Sequence, residues 1–154
     1  YNSQRVGAAT VALGIADGAY RLALDWSETR HQFGRPINEF QGLQWKLADM
    51  SIRLAASRAL VYNAARSGEG GFPDMLMAAQ AKVFTSASAI QIVNEALQFF
   101  GARGYSRELP LERMARDVRM FTIGGGTAEV LRNVVAGALL KKKLPQTRDG
   151  WDKA

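Results

Sequence analysis

Apolar positions recur every three or four residues through most of the chain, and turn-forming clusters divide that pattern into four long helical stretches and one short one. The first spans about Ser3 to Arg30: Val11, Ile15, Leu22 and Trp26 recur at helical spacing, with Ala8, Ala12, Gly14, Gly18 and Ala19 among them. Small residues on a long helix let a backbone or ligand approach closely, although each glycine costs roughly 1 kcal/mol of helix propensity. Gly34 and Pro36 oppose its continuation. Asn38 followed by Gln41 reads as a capping box that opens a second helix. Its stripe of Phe40, Leu43, Leu47, Met50, Leu54, Ser57 and Val61 has the alternating spacing of a left-handed bundle seam. Gly68 to Pro73 breaks it near Ser67. The third helix repeats the seam in Leu76, Ala79, Val83, Ser86, Ile90, Val93 and Leu97, closed by Gly101 and Gly104.

After Pro110, a short helix from about Leu111 to Met120 carries Glu112 and Arg116 at the spacing of a supporting ion pair. Gly124-Gly125-Gly126 then leads to Thr127, a candidate cap for a last helix ending near Leu140. No strand is expected. The expected fold is all-α, an up-and-down four-helix bundle with a short extra helix before the last helix. A helical domain over 1–140 is followed by a polar tail over 141–154.

Composition narrows the chemistry. A length of 154 residues suits one domain with a real core, and 47% apolar residues argue against disorder. The absence of cysteine excludes a disulfide scaffold and a thiolate site, and fits a reducing, cytoplasmic setting. Tyr1 already stands in a helical pattern, so the chain reads as a segment of a longer protein. No apolar run approaches the roughly 20 residues of a membrane span, and no signal peptide opens the chain. The net charge of +6 is spread along helices among acids such as Glu28, Asp49, Glu112 and Asp117. Scattered arginines suit the phosphates of a small polyanionic ligand better than nucleic acid. His31 is the single histidine, which leaves no metal cluster and no catalytic triad in view. The triple glycine lacks the Gly-Lys-Ser/Thr ending of a P-loop. It reads either as a plain turn or as a helix N-terminus offering N–H groups to a phosphate or carbonyl oxygen.

Four ordered blocks together resemble the acyl-CoA dehydrogenase superfamily over about Tyr1 to Leu140. They are Arg30-His31-Gln32-Phe33-Gly34-Arg35-Pro36-Ile37 with Phe40-Gln41; Gln98 through Tyr105; Glu112-Arg113-Met114-Ala115-Arg116-Asp117; and Ile123 through Val130. The resemblance implies a C-terminal helical domain that helps to bind FAD and an acyl-CoA thioester in a homotetramer. By that resemblance Arg30, Gln32, Phe33, Gln98 and Ala102 meet a neighbouring subunit's FAD, and Thr127 and Glu129 meet FAD near the last helix. Arginine suits a diphosphate because its planar fork holds two oxygens at once. Ala102 stands where the family usually has glycine, which implies a slightly loosened backbone contact. Asn2, Gln4, Arg5 and Gly125 fall on the acyl-CoA side.

The departure from the family is chemical. Ordinary members abstract a proton with a glutamate whose position here is Gly125, and a minority place it where this chain has Gln4. Neither an amide nor a glycine serves as a general base. The opening run, Tyr1 through Ala9 with Val11 through Ala16, resembles the superfamily's 3-sulfinopropanoyl-CoA desulfinases, which lack that glutamate, split a C–S bond to release sulfite, and hold FAD structurally. The alternatives are a dehydrogenase with a relocated base, Asp17 for example, and a non-catalytic helical interaction module.

Overall fold

The computed structural model describes residues 1–142. The expected tail lies, from residue 143 onward, outside the described residues. Six α-helices follow in order: α1 (Asn2–Thr29), α2 (Gln41–Arg66), α3 (Met75–Phe100), α4 (Ala102–Tyr105), α5 (Leu111–Arg119) and α6 (Ala128–Leu140). The first three run up, down and up. Asn2 Nδ2 donates to the Pro73 carbonyl at the lower end (2.9 Å), and Trp26 Nε1 donates to the Phe99 carbonyl at the upper end (3.1 Å). Thus α1 and α3 lie parallel, and α2 returns between their ends.

The core of α1 differs from the expected stripe of large residues. Val11 is 53% exposed, whereas Ala9, Ala12, Ala16, Ala19 and Ala23 are buried and carry the seam. Their face meets α3, which contributes buried Ala78, Ala81, Ala89 and Ala96, and this is the most extensive helix pair in the fold. Small side chains on both helices permit close approach of the two axes. The α2 seam is as expected at its deeper end, with Met50, Leu54, Ser57 and Val61 buried. In α3 the mean hydropathy reaches 1.2 over its best 18-residue window, the composition of a membrane span, yet 56% of that window is buried in the bundle. It is the central helix, which explains its composition.

The capping box expected at Asn38 does not form. Residues Ile37–Glu39 make a 3-10 turn and α2 starts at Gln41, with Phe40 as its N-cap residue. The cause lies upstream: the Ile37 N–H donates to the Arg30 carbonyl (2.8 Å), and the Ile37 side chain is buried. Asn38 therefore sits inside the turn, and its carbonyl accepts from Gln44 Nε2 (2.9 Å). Nor is the segment free of strand. His31–Gln32 (β1) pairs antiparallel with Arg35–Pro36 (β2), register His31↔Pro36 and Gln32↔Arg35. The two linking residues, Phe33 and Gly34, have φ of 53° and 79°, the left-handed pair that a type I′ hairpin turn requires.

At the far end of α3, Gly101 has φ 56° and α4 makes a single turn. Gly104 has no alternative there: an added Cβ would lie 2.4 Å from the Leu97 carbonyl oxygen. In α5, Arg116 donates twice to the Glu112 carboxylate (3.1 and 3.2 Å), as the spacing predicts. Thr127 caps α6, its Oγ1 accepting from the Val130 N–H (3.2 Å). Helix α6 rests mainly against α3.

Candidate functional site

The residues singled out from the sequence fall into two groups at opposite ends of α1. Arg5, in the first turns of α1, and Arg30, its C-cap residue, stand 25 positions apart, roughly 37 Å along the helix axis.

The upper group gathers where α1 ends, α2 begins and α3 ends. Trp26, Arg30, Gln32, Gln98, Ala102 and Arg103 line a cavity of about 380 Å³, with Phe99, Phe100 and Gly101 among its other walls. Trp26 is fixed in two ways: its ring stacks on Phe100 (centroids 4.8 Å apart, planes 13° apart), and its N–H is tied to Phe99. The guanidinium of Arg30 lies 6.0 Å from the indole centroid and that of Arg103 5.3 Å. Gln32 Nε2 donates to the His31 carbonyl (2.8 Å), and Gln32 lines the cavity. Gln98 and Ala102 are exposed. Ala102 keeps helical backbone angles, so the glycine expected there is not needed for conformation; the positive φ falls on Gly101. Phe33 is 92% exposed at the hairpin tip, edge-on to Phe40 at 6.1 Å. His31 is exposed beside it, with Nδ1 3.1 Å from the Thr29 carbonyl. Among the described residues no Asp or Glu lines the cavity. An acid-free wall of two arginines and two amides, beside an aromatic floor and an exposed phenyl ring, fits a ligand that combines phosphate and ring systems.

The lower group forms where α1 begins, around the glycine loop before α6. Arg5 Nη1 donates to Asn2 Oδ1 (3.2 Å), and its buried Nε has no partner among the described residues. Gln4 is exposed. Gly125 has φ 70°, and open space surrounds the point where a Cβ would stand. The loop therefore has room for a side chain at the position that lacks one. The Glu129 carboxyl is held below the ordinary carboxylate value by its own backbone N–H and by the Thr127 hydroxyl.

Two residues of these groups were not read from the sequence. Lys82 is fully buried, and its ammonium donates to the Gly126 carbonyl (2.6 Å), tying α3 to the glycine loop. Burial lowers its pKa and Arg5 pushes the same way, while Glu129 opposes them. The signal was present: Lys82 lies three after Ala79 and four before Ser86, on the seam's own spacing, where Val83 was taken instead. Arg103 had no signal beyond its charge. Asp17, the suggested relocated base, is bound to Arg21 (2.8 Å) and Arg58 (3.1 Å), roughly 18 Å along α1 from Arg5. A cavity of about 640 Å³ between α2, α3 and α6 contains none of these residues.

Comparison with known proteins bears on both groups. The family model described as acyl-CoA dehydrogenase, C-terminal domain, matches residues 1–140. A 3-sulfinopropanoyl-CoA desulfinase of Paraburkholderia xenovorans is 65% identical over 96% of this chain and 38% of its own length. One from Variovorax paradoxus is 62% identical over 99% of this chain and 38% of its own. Among solved structures, butyryl-CoA dehydrogenase from Megasphaera elsdenii superposes with a TM-score of 0.88 at 44% identity, covering 90% of this chain and 36% of that one. The chain thus spans little more than a third of the length of the relatives it matches.

Proposed function

Since the chain belongs to the acyl-CoA dehydrogenase family, as the C-terminal domain of its members, we propose that the full-length protein is a flavoprotein that desulfinates 3-sulfinopropanoyl-CoA. The observation that carries this reading is the missing carboxylate: Gly125 and Gln4 occupy both positions where the resemblance puts the base. Identity of 65% to a desulfinase against 44% to a dehydrogenase points the same way.

Desulfination needs no hydride acceptor. The C–S bond breaks, the carbon takes a proton and the sulfur takes hydroxide, both from water, to give propanoyl-CoA and hydrogensulfite without net oxidation. A sulfinate is anionic, so a glutamate at position 125 would repel it. Arg5, with its unpartnered Nε, the open space at Gly125 and the buried ammonium of Lys82 together make this end of the bundle hospitable to a negative group. Asn2 holds the Arg5 guanidinium in place, and Gln4 supplies an amide beside it.

FAD is the proposed cofactor, held through its diphosphate by Arg30, with Gln32, Phe33, Gln98 and the backbone at Ala102 around it. Thr127 and Glu129 meet a second FAD at the other end. FAD supplies hydride acceptance in dehydrogenase members of the family and serves as a structural element in a desulfinase. A homotetramer in the cytoplasm completes the reading, because each chain offers two half-sites too far apart for one cofactor.

The test supplies the full-length protein with 3-sulfinopropanoyl-CoA and, separately, with short saturated acyl-CoAs plus an electron acceptor. Sulfite release without acceptor reduction is expected. Acceptor reduction without sulfite would overturn the desulfinase reading in favour of a dehydrogenase with its base outside this chain. Colourless protein without bound flavin would leave a helical interaction module.

A further inference from the structure

The upper cavity holds more positive charge than the resemblance accounts for. Arg30 caps the end of α1, whereas Arg103 comes from α4, on the far side of the α3 terminus. Both guanidinium groups lie within 6.0 Å of the Trp26 ring centroid, and among the described residues no carboxylate lines the space between these elements. Among the described ion pairs neither arginine takes part. Two like charges brought to one aromatic ring without a counter-anion repel each other. Stacking on an indole steadies a guanidinium while leaving its N–H fork free for oxygen atoms. Trp26 is itself held by Phe100 and by the Phe99 carbonyl, so the platform is rigid before any ligand arrives.

We propose that Arg103 is a cofactor-binding residue: with Arg30 it forms a two-arginine clamp over Trp26 for the diphosphate of the flavin cofactor. The inference rests on the FAD reading above and adds a residue to it. A diphosphate carries two anionic groups, and the clamp offers one guanidinium to each. Gly101 leaves the floor of the cavity bare beside Arg103, with open space where a Cβ would stand. Nothing packs over Arg103, which is exposed, so its place on the indole is not a by-product of core packing.

The experiment uses the full-length protein stripped of flavin and then titrated with FAD, following flavin fluorescence across a series of sodium chloride concentrations. Arg103→Gln is expected to raise the Kd roughly tenfold to a hundredfold, the range of one charge-assisted contact. It is also expected to flatten the salt dependence of the Kd, because one screened charge has been removed. Arg103→Lys, which keeps the charge and loses the planar fork of the guanidinium, is expected to fall between. Arg107→Gln, exposed and outside the cavity, is expected to match the unaltered protein. The Kd of ADP is expected to rise by the same factor as that of FAD in the Arg103→Gln variant, which ties the loss to the diphosphate rather than the flavin ring. An unchanged Kd and salt slope in Arg103→Gln, with Arg30→Gln weakened, would overturn the clamp and leave the FAD reading standing. Absence of FAD binding by the unaltered protein would overturn both. Thermal melts of each variant separate lost contact from lost fold; a variant that binds tenfold more weakly while melting normally supports the clamp.

Discussion

Phe33 shows how far a single residue can depart from what folding alone would select. It is 92% exposed and sits at φ 53°, a left-handed conformation that costs a residue with a side chain roughly 1–2 kcal/mol. Asparagine adopts that conformation more readily, so Phe33→Asn is expected to stabilise the fold by about 1 kcal/mol in urea unfolding while weakening FAD retention. Loss of stability with unchanged FAD binding would show that the ring serves the hairpin rather than a ligand. Lys82 is the opposite case, a charge placed where only core is expected. Replacing it with Met leaves the Gly126 carbonyl without its donor, and a loss of roughly 1–3 kcal/mol is expected in the same assay. A neutral or stabilising outcome would mean that the buried charge costs as much as its hydrogen bond returns.

Among the elements, α1 and α3 are specified by small residues rather than large ones. Ala19 is fully buried in their interface, and Ala19→Leu is expected to cost roughly 1–3 kcal/mol by overpacking, read as a lower midpoint of urea unfolding. A leucine stripe would have been the ordinary expectation for a bundle, and the exposed Val11 shows why that expectation misleads on this helix. The short α5 is steadied by charge. The Arg116 guanidinium holds the Glu112 carboxyl below its ordinary value of 4.5. The folded chain therefore binds that proton less readily than the unfolded chain. The contribution is present above about pH 4.5 and is lost as pH falls through the lower folded value. Glu112→Gln is expected to flatten that part of the acid limb of a stability–pH curve measured by thermal melts.

On the scale of the whole molecule, the separation of the two groups matters most. Roughly 37 Å of helix lies between Arg5 and Arg30, so under the proposed function the upper and lower groups serve different ligands or different copies of one ligand. Under the proposed function each FAD draws on more than one chain. Dilution of the full-length protein is then expected to release flavin and lower the oligomer together, followed by flavin fluorescence and light scattering. Flavin held tightly by a monomer would sink the shared-site arrangement.

The four longer helices, their order and the short α5 were legible from hydrophobic spacing, because each long helix must bury one face and the repeat records that face in Leu43 through Val61 and Leu76 through Leu97; the single turn of α4 (Ala102–Tyr105) was not. The motifs around Arg30, Gln98 and Thr127 were legible as residue types at fixed intervals, and the resemblance they carry is what puts Gly125 where the proposed function misses a carboxylate. Four things were decided only by tertiary structure. The alanine face of α1 became core because α3 offered a matching face. Asn38 lost its capping role because Ile37 was drawn toward Arg30 and into the core. Lys82 falls on the seam's own spacing, but that its ammonium meets the Gly126 carbonyl only the fold decided. Arg103 joined Arg30 because the end of α3 brings α4 against Trp26. A sequence states which faces are apolar and which side chains carry charge. Which of them meet depends on contacts between residues far apart in the chain, and no local pattern encodes those.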